Sequence, residues 1–439
     1  ISACLVGSEM CIRDRLGFGV VGSQVARVLF DKADLLGAQA GCPIALRKIK
    51  VKRPNVVRPK AQGMPTQLFT TDAEEFFNTP GIDIVIELIG GENPAHEYVK
   101  RALTSGKDVV TANKEVIAKH GVQLHALARQ HNVGLRYEGS AGGGIPLIAP
   151  FKYDLVANEL KGIYAIINGT TNYILTRMDK EGIDFSVALK SAQELGYAEA
   201  NPANDIEGID AKYKLAILAS LGFQTQVRPD DIHAEGISRT STRDFRYAHE
   251  LGFTIKLLAI AKQSDNSVEA RVHPVLIPMD SFLAKVDGVY NAILVEGDLV
   301  GKVLFFGEGA GALPTSSAVI ADVVSTAQDI LLGISDKAKL KFDSGKKLKP
   351  MADLKTRFYL RIHCTDRPGV LAQISRVFGD NSISIASVIQ KETDIVAQIA
   401  EVVITTHLTR EKAMQQALSD LAKLPVVKEV NNFIRVEDI

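Results

Sequence analysis

A chain of 439 residues exceeds what one hydrophobic core holds and implies two or three domains. Its 51 Lys plus Arg balance 51 Asp plus Glu, which argues against a protein built to coat nucleic acid or an anionic membrane. The composition is that of an ordinary globular protein, 46% hydrophobic and 23% charged, and no apolar run approaches the ~18 residues of a membrane helix.

Residues 1–15 lack the basic start, apolar stretch and cleavage site of a secretory signal. They end in Arg13-Asp14-Arg15, three charges where the loop that follows needs a buried Val/Ile/Leu strand. Either that first strand is compromised or the segment is not native to the chain; we favour the second. Residues 16–150 alternate short apolar strands (Ile44–Val51, Ile82–Ile89, Val109–Thr111, Gly134–Glu138) with amphipathic helices (Val21–Phe30, Pro94–Ser105, Val122–His131). That alternation is the pattern of a parallel α/β sheet. Residues 151–333 mix strands (Gly162–Asn168, Glu269–Leu276, Ala292–Gly297) with helices (Phe185–Leu195, Ile209–Leu221, Ser317–Leu332), an α+β pattern. Residues 334–356 are polar and rich in lysine, including Lys337, Lys339, Lys341, Lys346, Lys347 and Lys349, and read as a solvated linker. Residues 357–439 read as βαββαβ, long enough for a small domain.

Gly17-Phe-Gly-Val-Val-Gly22 is G-x-G-x-x-G at the head of the alternating stretch. Gly17 permits the tight turn, Gly19 lets a pyrophosphate approach the backbone, and Gly22 lets helix pack on sheet, with Val20 and Val21 opening the helix whose N-terminus receives the phosphate. At the end of the second strand, where an NAD site places an acid, the chain has Lys50, Lys52 and Arg53. Such cations pair with a 2′-phosphate and favour NADPH; the alternative is a set of solvated strand-end lysines.

Four further segments carry more polar detail than packing needs. Thr111-Ala-Asn-Lys-Glu115 sets Lys114 just past a strand end, where open α/β sheets bind ligands. Tyr137-Glu-Gly-Ser-Ala-Gly-Gly-Gly-Ile-Pro146 joins a carboxylate to a glycine loop that exposes carbonyls, a ligand set suited to a hard cation; the alternative is a loop whose Glu caps backbone amides. Asn168-Gly-Thr-Thr-Asn172 reads as a polar turn after an apolar strand. Gly196-Tyr-Ala-Glu199 leads through Asp205 and Glu207 to Asp210 and Lys214, spaced i,i+4 on one helix face, either a surface ion pair or part of a polar pocket.

Taken in order, GFGVVG, TANKE, YEGSAGGGIP, NGTTNYILTRM, ELGYAEANPANDIEGIDAKYKLAILAS and GAGALPTSSAVIAD resemble bacterial homoserine dehydrogenases with a C-terminal ACT domain, over nearly the whole chain. The resemblance implies a Rossmann-type nucleotide-binding domain, an α+β substrate and dimerisation domain, and a βαββαβ ACT regulatory domain. It implies reversible interconversion of L-aspartate 4-semialdehyde and L-homoserine with NADPH, NADH being the alternative cofactor. Carried over by position, Lys214 would be the general acid/base, supported by Asp210, and Lys114 would sit between nicotinamide and substrate. Glu199, Asp205 and Asp210 would hold the substrate, and Gly196, Gly309 and Gly311 would line the cofactor. A sodium ion would be held by Glu138 and the backbones of Ala141, Gly143 and Ile145. Asp366-Arg-Pro-Gly369, comprising Asp366, Arg367, Pro368 and Gly369, resembles an ACT strand-to-helix turn that would receive an amino-acid effector, threonine first.

ACT domains generally pair between chains, which implies a homodimer or homotetramer, with no nucleic-acid or membrane partner. Cys4, Cys11, Cys42 and Cys364 form no CxxC pair and fit a reducing cytoplasm. Asn201 stands where the family pattern has an acid, and Lys52-Arg53 where many members have Arg-Asp. Two other readings stay open: a different Rossmann-plus-ACT dehydrogenase, acting on 3-phosphoglycerate or prephenate, and a catalytically impaired amino-acid-binding regulator if the first strand is missing.

Overall fold

The structure is a computed structural model that describes residues 15–53, 61–264, 266–334, 340, 342, 345–394 and 397–439. The leader up to Asp14 and the linker lysines Lys337, Lys339 and Lys341 lie outside the described residues. The chain forms two compact units. The first comprises the described residues of Ile1–Glu159, Ala216–Pro229 and Phe305–Ser344, the second those of Leu160–Leu215, Asp230–Leu304 and Gly345–Ile439.

The first unit is built on a parallel six-stranded sheet of β1 (Arg15–Leu16), β2 (Ile49–Lys50), β3 (Phe69–Thr70), β4 (Ile84–Glu87), β5 (Asp108–Thr111) and β6 (Leu135–Arg136), in the order β3-β2-β1-β4-β5-β6. That is the doubly wound dinucleotide-binding order. The first strand therefore forms, contrary to the expectation from its charges. Arg15 and Leu16 pair with Ile49 and Lys50 on one side and with Ile86 and Glu87 on the other. Strand pairing uses backbone groups, and two residues suffice here because Gly17 N–H extends the ladder to the Lys50 carbonyl at 3.1 Å.

The helices of this unit are α1 (Val20–Asp31), α2 (Ala33–Ala40), α3 (Ala73–Asn78), α4 (Ala95–Thr104) and α5 (Lys114–Gln130). The sequence reading missed α2, which Gly41 ends in the left-handed region (φ 79°), and α3. The helix expected over Val122–His131 begins eight residues earlier, because Asn113 is the N-cap of α5 and accepts the Val116 N–H at 3.1 Å. The expected strand Ile44–Val51 shrinks to β2; Ile44 is buried but in irregular backbone after Pro43.

The second unit begins with β7 (Leu160–Ile166) and the helices α6 (Gly169–Glu181), α7 (Phe185–Glu194), α8 (Ala203–Ile206) and α9 (Ile209–Phe223), the last running from the second unit into the first. There follow β8 (His233–Ala234), α10 (Thr242–Glu250), β9 (Phe253–Ser264), β10 (Ser267–Pro278), β11 (Tyr290–Gly297) and β12 (Gly301–Glu308). Helix α11 (Ala312–Leu331) returns to the first unit, where Val319, Val323 and Ala327 share a core with Val25, Leu29, Ile84, Ile86 and Val110.

The C-terminal module is β13 (Lys347–Leu348), β14 (Lys355–Thr365), α12 (Val370–Asp380), β15 (Ile385–Asp394), β16 (Ile399–Thr406), β17 (Thr409–Arg410), α13 (Glu411–Leu421) and β18 (Val427–Val436). Apart from the short β13 and β17 it keeps the expected βαββαβ order. Its core gathers Phe358, Leu360, Ile362, Ile374, Phe378 and Ile404 among others. The sheet of this unit runs β12-β11-β7-β9-β10-β18-β14-β16-β15. Strand β18 lies parallel to β10 (Val275 opposite Arg435, Leu276 opposite Val436) and antiparallel to β14, so the module's sheet continues that of the preceding domain.

Candidate active site

In the first unit the glycine loop closes on the carboxyl edge of the sheet. Gly17 has φ 99°, and a Cβ there would lie 2.8 Å from the Leu88 carbonyl oxygen, so only glycine fits this turn. Gly19 caps α1, and a Cβ added there meets nothing within 4 Å, which leaves open space over the first N–H groups of the helix. Val20 is 73% exposed beside it, and Gly22 is buried in the helix. Lys52 and Arg53 are exposed just beyond β2.

Lys114 is the first residue of α5, held there by a buried network. Glu87, with no exposed surface, accepts hydrogen bonds from the Ile89 N–H and the Thr111 hydroxyl, both at 2.6 Å. The Thr111 hydroxyl oxygen accepts the Asn113 N–H (2.9 Å), and the Asn113 amide donates to the carbonyls of Ile89 and Gly91, both at 2.8 Å. Burial pushes the Glu87 carboxyl up to about 7 despite these donors. Sequence reasoning missed Glu87; its signal is an acid closing the apolar run Ile84-Val-Ile-Glu87.

Glu138 is buried and caps three backbone amides: Oε1 accepts from Leu147 (2.5 Å) and Ile148 (2.8 Å), Oε2 from Ala149 (2.8 Å). Its own N–H donates to Asp322 at 2.7 Å. Burial, with the Glu138 charge adding to it, pushes the Asp322 carboxyl up to about 7. The carbonyl oxygens of Ala141, Gly143 and Ile145, all in buried residues, accept no backbone hydrogen bond among the described residues. Gly143 has φ 59°, and a Cβ on it would lie 2.5 Å from the Gly309 carbonyl, so this loop is fitted onto the segment before α11. Gly309 is buried there, and Gly311 (φ 122°) is the N-cap of α11.

The substrate-side residues lie in the second unit, as does Gly196, which follows α7 in the left-handed region (φ 76°). Asp210 and Lys214 are 6% and 9% exposed, so they are not a surface pair. The Lys214 ammonium donates to Asp210 Oδ2 (2.7 Å) and to the Ile167 carbonyl (2.9 Å). Asn168 was read as a turn residue but is the N-cap of α6. Its amide nitrogen donates to Asp205 Oδ1 (2.7 Å) and Asp210 Oδ2 (2.9 Å) and so joins both acids. A buried ion pair is stable only when its remaining polar valences are met. Asn168 and the Ile167 carbonyl just past β7 meet them here, and among the described residues the third ammonium N–H of Lys214 takes no acceptor. Glu199 is exposed beyond α7. Asn201, at the position of the family's acid, accepts the Ala203 N–H at the start of α8 (3.3 Å).

In the C-terminal module Asp366, Arg367, Pro368 and Gly369 form an exposed turn from β14 into α12, with Gly369 as N-cap (φ 85°) and the Asp366 N–H donating to the Gln398 carbonyl at 2.8 Å. Among the described residues no group of three or more His, Cys, Asp or Glu side chains is placed to hold a metal ion, and no helix is long and apolar enough to cross a membrane. Cys42 and Cys364 are buried and unbridged; Cys4 and Cys11 lie outside the described residues.

Comparison with known proteins places these features in sequence context. Residues 17–138 match the family model described as homoserine dehydrogenase, NAD binding domain, residues 146–324 that of homoserine dehydrogenase, and residues 358–426 the ACT domain. A homoserine dehydrogenase from Synechocystis is 42% identical, covering 96% of this chain and 98% of the relative. The crystal structure of a homoserine dehydrogenase from Thiobacillus denitrificans superposes with a TM-score of 0.90 at 40% identity, covering 98% of each chain. A hyperthermophilic archaeal homoserine dehydrogenase mutant in complex with NADPH matches with a TM-score of 0.62 at 27% identity, over 75% of this chain and all of that one (100%).

Proposed function

Because the chain belongs to the homoserine dehydrogenase family and carries an ACT domain, we propose that it interconverts L-aspartate 4-semialdehyde and L-homoserine with Lys214 as the proton carrier. The observation that carries the assignment of Lys214 is its buried ammonium, fixed by Asp210 and the Ile167 carbonyl with one N–H left for a substrate oxygen.

A nicotinamide cofactor, when bound, supplies or takes the hydride. The open space over Gly19 and the cations beyond β2 fit a dinucleotide with a 2′-phosphate, so Lys52 and Arg53 would favour NADPH over NADH. Gly17, Gly19, Val20, Val21, Gly22, Gly196, Gly309 and Gly311 would line it, with Lys114 toward the nicotinamide. In the reducing direction negative charge builds on the aldehyde oxygen; Lys214 stabilises it and donates the proton that completes the alcohol. Asp210 holds Lys214 in place, and Glu199 and Asp205 would receive the substrate's amino group. In the oxidising direction Lys214 takes the hydroxyl proton.

The carboxylate of Glu138 and the backbone carbonyls of Ala141, Gly143 and Ile145 would offer sodium an all-oxygen donor set, and its charge would fix the loop packed against Gly309. The turn Asp366–Gly369 would receive an amino-acid effector, threonine first. We assign residues 16–150 to cofactor binding, 151–333 to substrate binding and dimerisation, and 357–439 to regulation. Strand β12 ends the sheet, and the exposed Leu299, Val300, Leu304 and Phe306 on or beside it support assembly as a homodimer or homotetramer. The impaired-regulator reading rested on a missing first strand, and β1 is paired on both sides.

The test is an assay with homoserine and NADP or NAD, with and without threonine and sodium. Turnover with NADP preferred, slowed by threonine and raised by sodium, supports the reading in full. No homoserine-dependent reduction of either cofactor would overturn it.

A further inference from the structure

Arg435 is one of the largest fully buried side chains among the described residues, 1% exposed one residue before the end of β18. Its guanidinium grips two carboxylates at once. Nε and Nη2 donate to Glu411, the first residue of α13, at 2.8 and 2.6 Å; Nη1 and Nη2 donate to Glu235 at 2.8 and 2.9 Å. Glu411 belongs to the C-terminal module, whereas Glu235 follows β8 in the preceding domain. Burial works against ionisation of Glu235, but His233 and Arg435 outweigh it and hold the carboxyl well below its usual range.

Glu235 opens a short strap. Its N–H donates to the Val272 carbonyl on β10 (2.8 Å), and two residues later the Ile237 N–H donates to the Ile206 carbonyl at the end of α8 (2.9 Å). Between them Gly236 lies so close to α8 that a Cβ on it would be 2.4 Å from the Ile206 oxygen and 2.9 Å from Glu207 Cα. Ile206 is the neighbour of Asp205, whose carboxylate receives the Asn168 amide that also holds Asp210.

We propose that Arg435 is a positioning residue for the substrate pocket: through Glu235 it fixes the 235–237 strap against which Ile206 and Glu207, and with them Asp205, are held. A buried guanidinium between one buried and one part-exposed carboxylate is weak evidence of stability in itself, since apolar side chains can fill such a space at no loss. It does set the strap's place against the C-terminal module through four directional hydrogen bonds. A shift of β18 or α13 relative to each other is thereby passed to the Asp205 end of the site. This rests on the assignment of Asp205, Asp210 and Lys214 made above.

The test uses the full-length chain and the variants Glu235→Gln, Arg435→Met, Arg435→Lys and Lys214→Ala. Glu235→Gln keeps the size of the side chain and leaves the Arg435–Glu411 pair intact, so it is the variant that must fold. It should raise KM for homoserine roughly two- to thirty-fold, with kcat and the dissociation constant for NADPH changed less than about twofold. Arg435→Met, where it folds, should shift KM the same way, with Arg435→Lys between it and wild type. Combining Glu235→Gln with Asp205→Asn should give less than the product of the two single effects on kcat/KM, because both act on one segment. A lower melting temperature of Glu235→Gln with KM for homoserine unchanged would overturn the proposal, as would an equal loss for homoserine and NADPH. Full turnover in Lys214→Ala would instead overturn the site assignment on which it rests.

Discussion

Glu87 and Thr111, both without exposed surface, share a hydrogen bond of 2.6 Å between neighbouring strand ends at the carboxyl edge of the six-stranded sheet. Leu88, next after Glu87, abuts Gly17, and Thr111 leads through Asn113 to Lys114. The pair thus ties the start of α5 to a buried carboxylate whose chain neighbour packs on the glycine loop.

Burial raises the Glu87 carboxyl to about 7, above its value in an unfolded chain. A raised carboxyl binds more protons folded than unfolded, so its contribution to stability is greatest below the unfolded value and falls as pH rises toward 7. Glu87→Gln does not titrate. The stability of wild type relative to Glu87→Gln should therefore decline by up to about 3 kcal/mol between pH 4.5 and 8. Thermal melts of both proteins across that range check it; a constant difference would refute it.

Lys214→Ala should lower kcat by about 10²–10⁴-fold and leave NADPH affinity near wild type. The substitution strands Asp210, so circular dichroism must first show a folded chain.

Two glycines should separate folding from binding. Alanine at Gly19 meets nothing of the protein within 4 Å, so Gly19→Ala should keep the wild-type melting temperature and weaken cofactor binding. Gly143 has φ 59° and abuts the Gly309 carbonyl, so Gly143→Ala should cost more than about 1 kcal/mol of stability. Calorimetry and fluorescence titration with NADPH distinguish the two effects.

Replacing both Lys52 and Arg53 by alanine should reduce the preference for NADPH over NADH by about tenfold or more, through loss of charge-assisted bonds to the 2′-phosphate. The ratio of kcat/KM for the two cofactors is the measurement. An unchanged ratio would return both cations to the role of solvated strand-end residues.

Glu138→Gln sets an amide N–H2 where three backbone N–H groups now converge on a carboxylate. It should destabilise the protein by about 1–3 kcal/mol and abolish any activation by sodium. Activity titrated with NaCl against KCl, in wild type and variant, tests the second half.

The legible part of this molecule was its local chemistry. The glycine loop, the βαββαβ order and the chemical types around Asp210 and Lys214 all follow from short stretches of chain. The i,i+4 spacing of that pair could not say whether it was buried, because the answer depends on Asn168, forty-two residues earlier. Asn168 reads as a turn residue because asparagine serves turns and helix caps alike. The two-residue β1 has too little sequence to show a pattern, and its place comes from neighbours far along the chain. Nothing local marks Arg435 as reaching two acids on separate elements.

The seat of β18 between β10 and β14 has a consequence for how this chain can be shortened. Cutting away the C-terminal module would strip β10 of a neighbour and expose part of its row of backbone donors and acceptors, a template on which other chains pair. Such a fragment should be collected from inclusion bodies unless the bared strand is covered by new sequence.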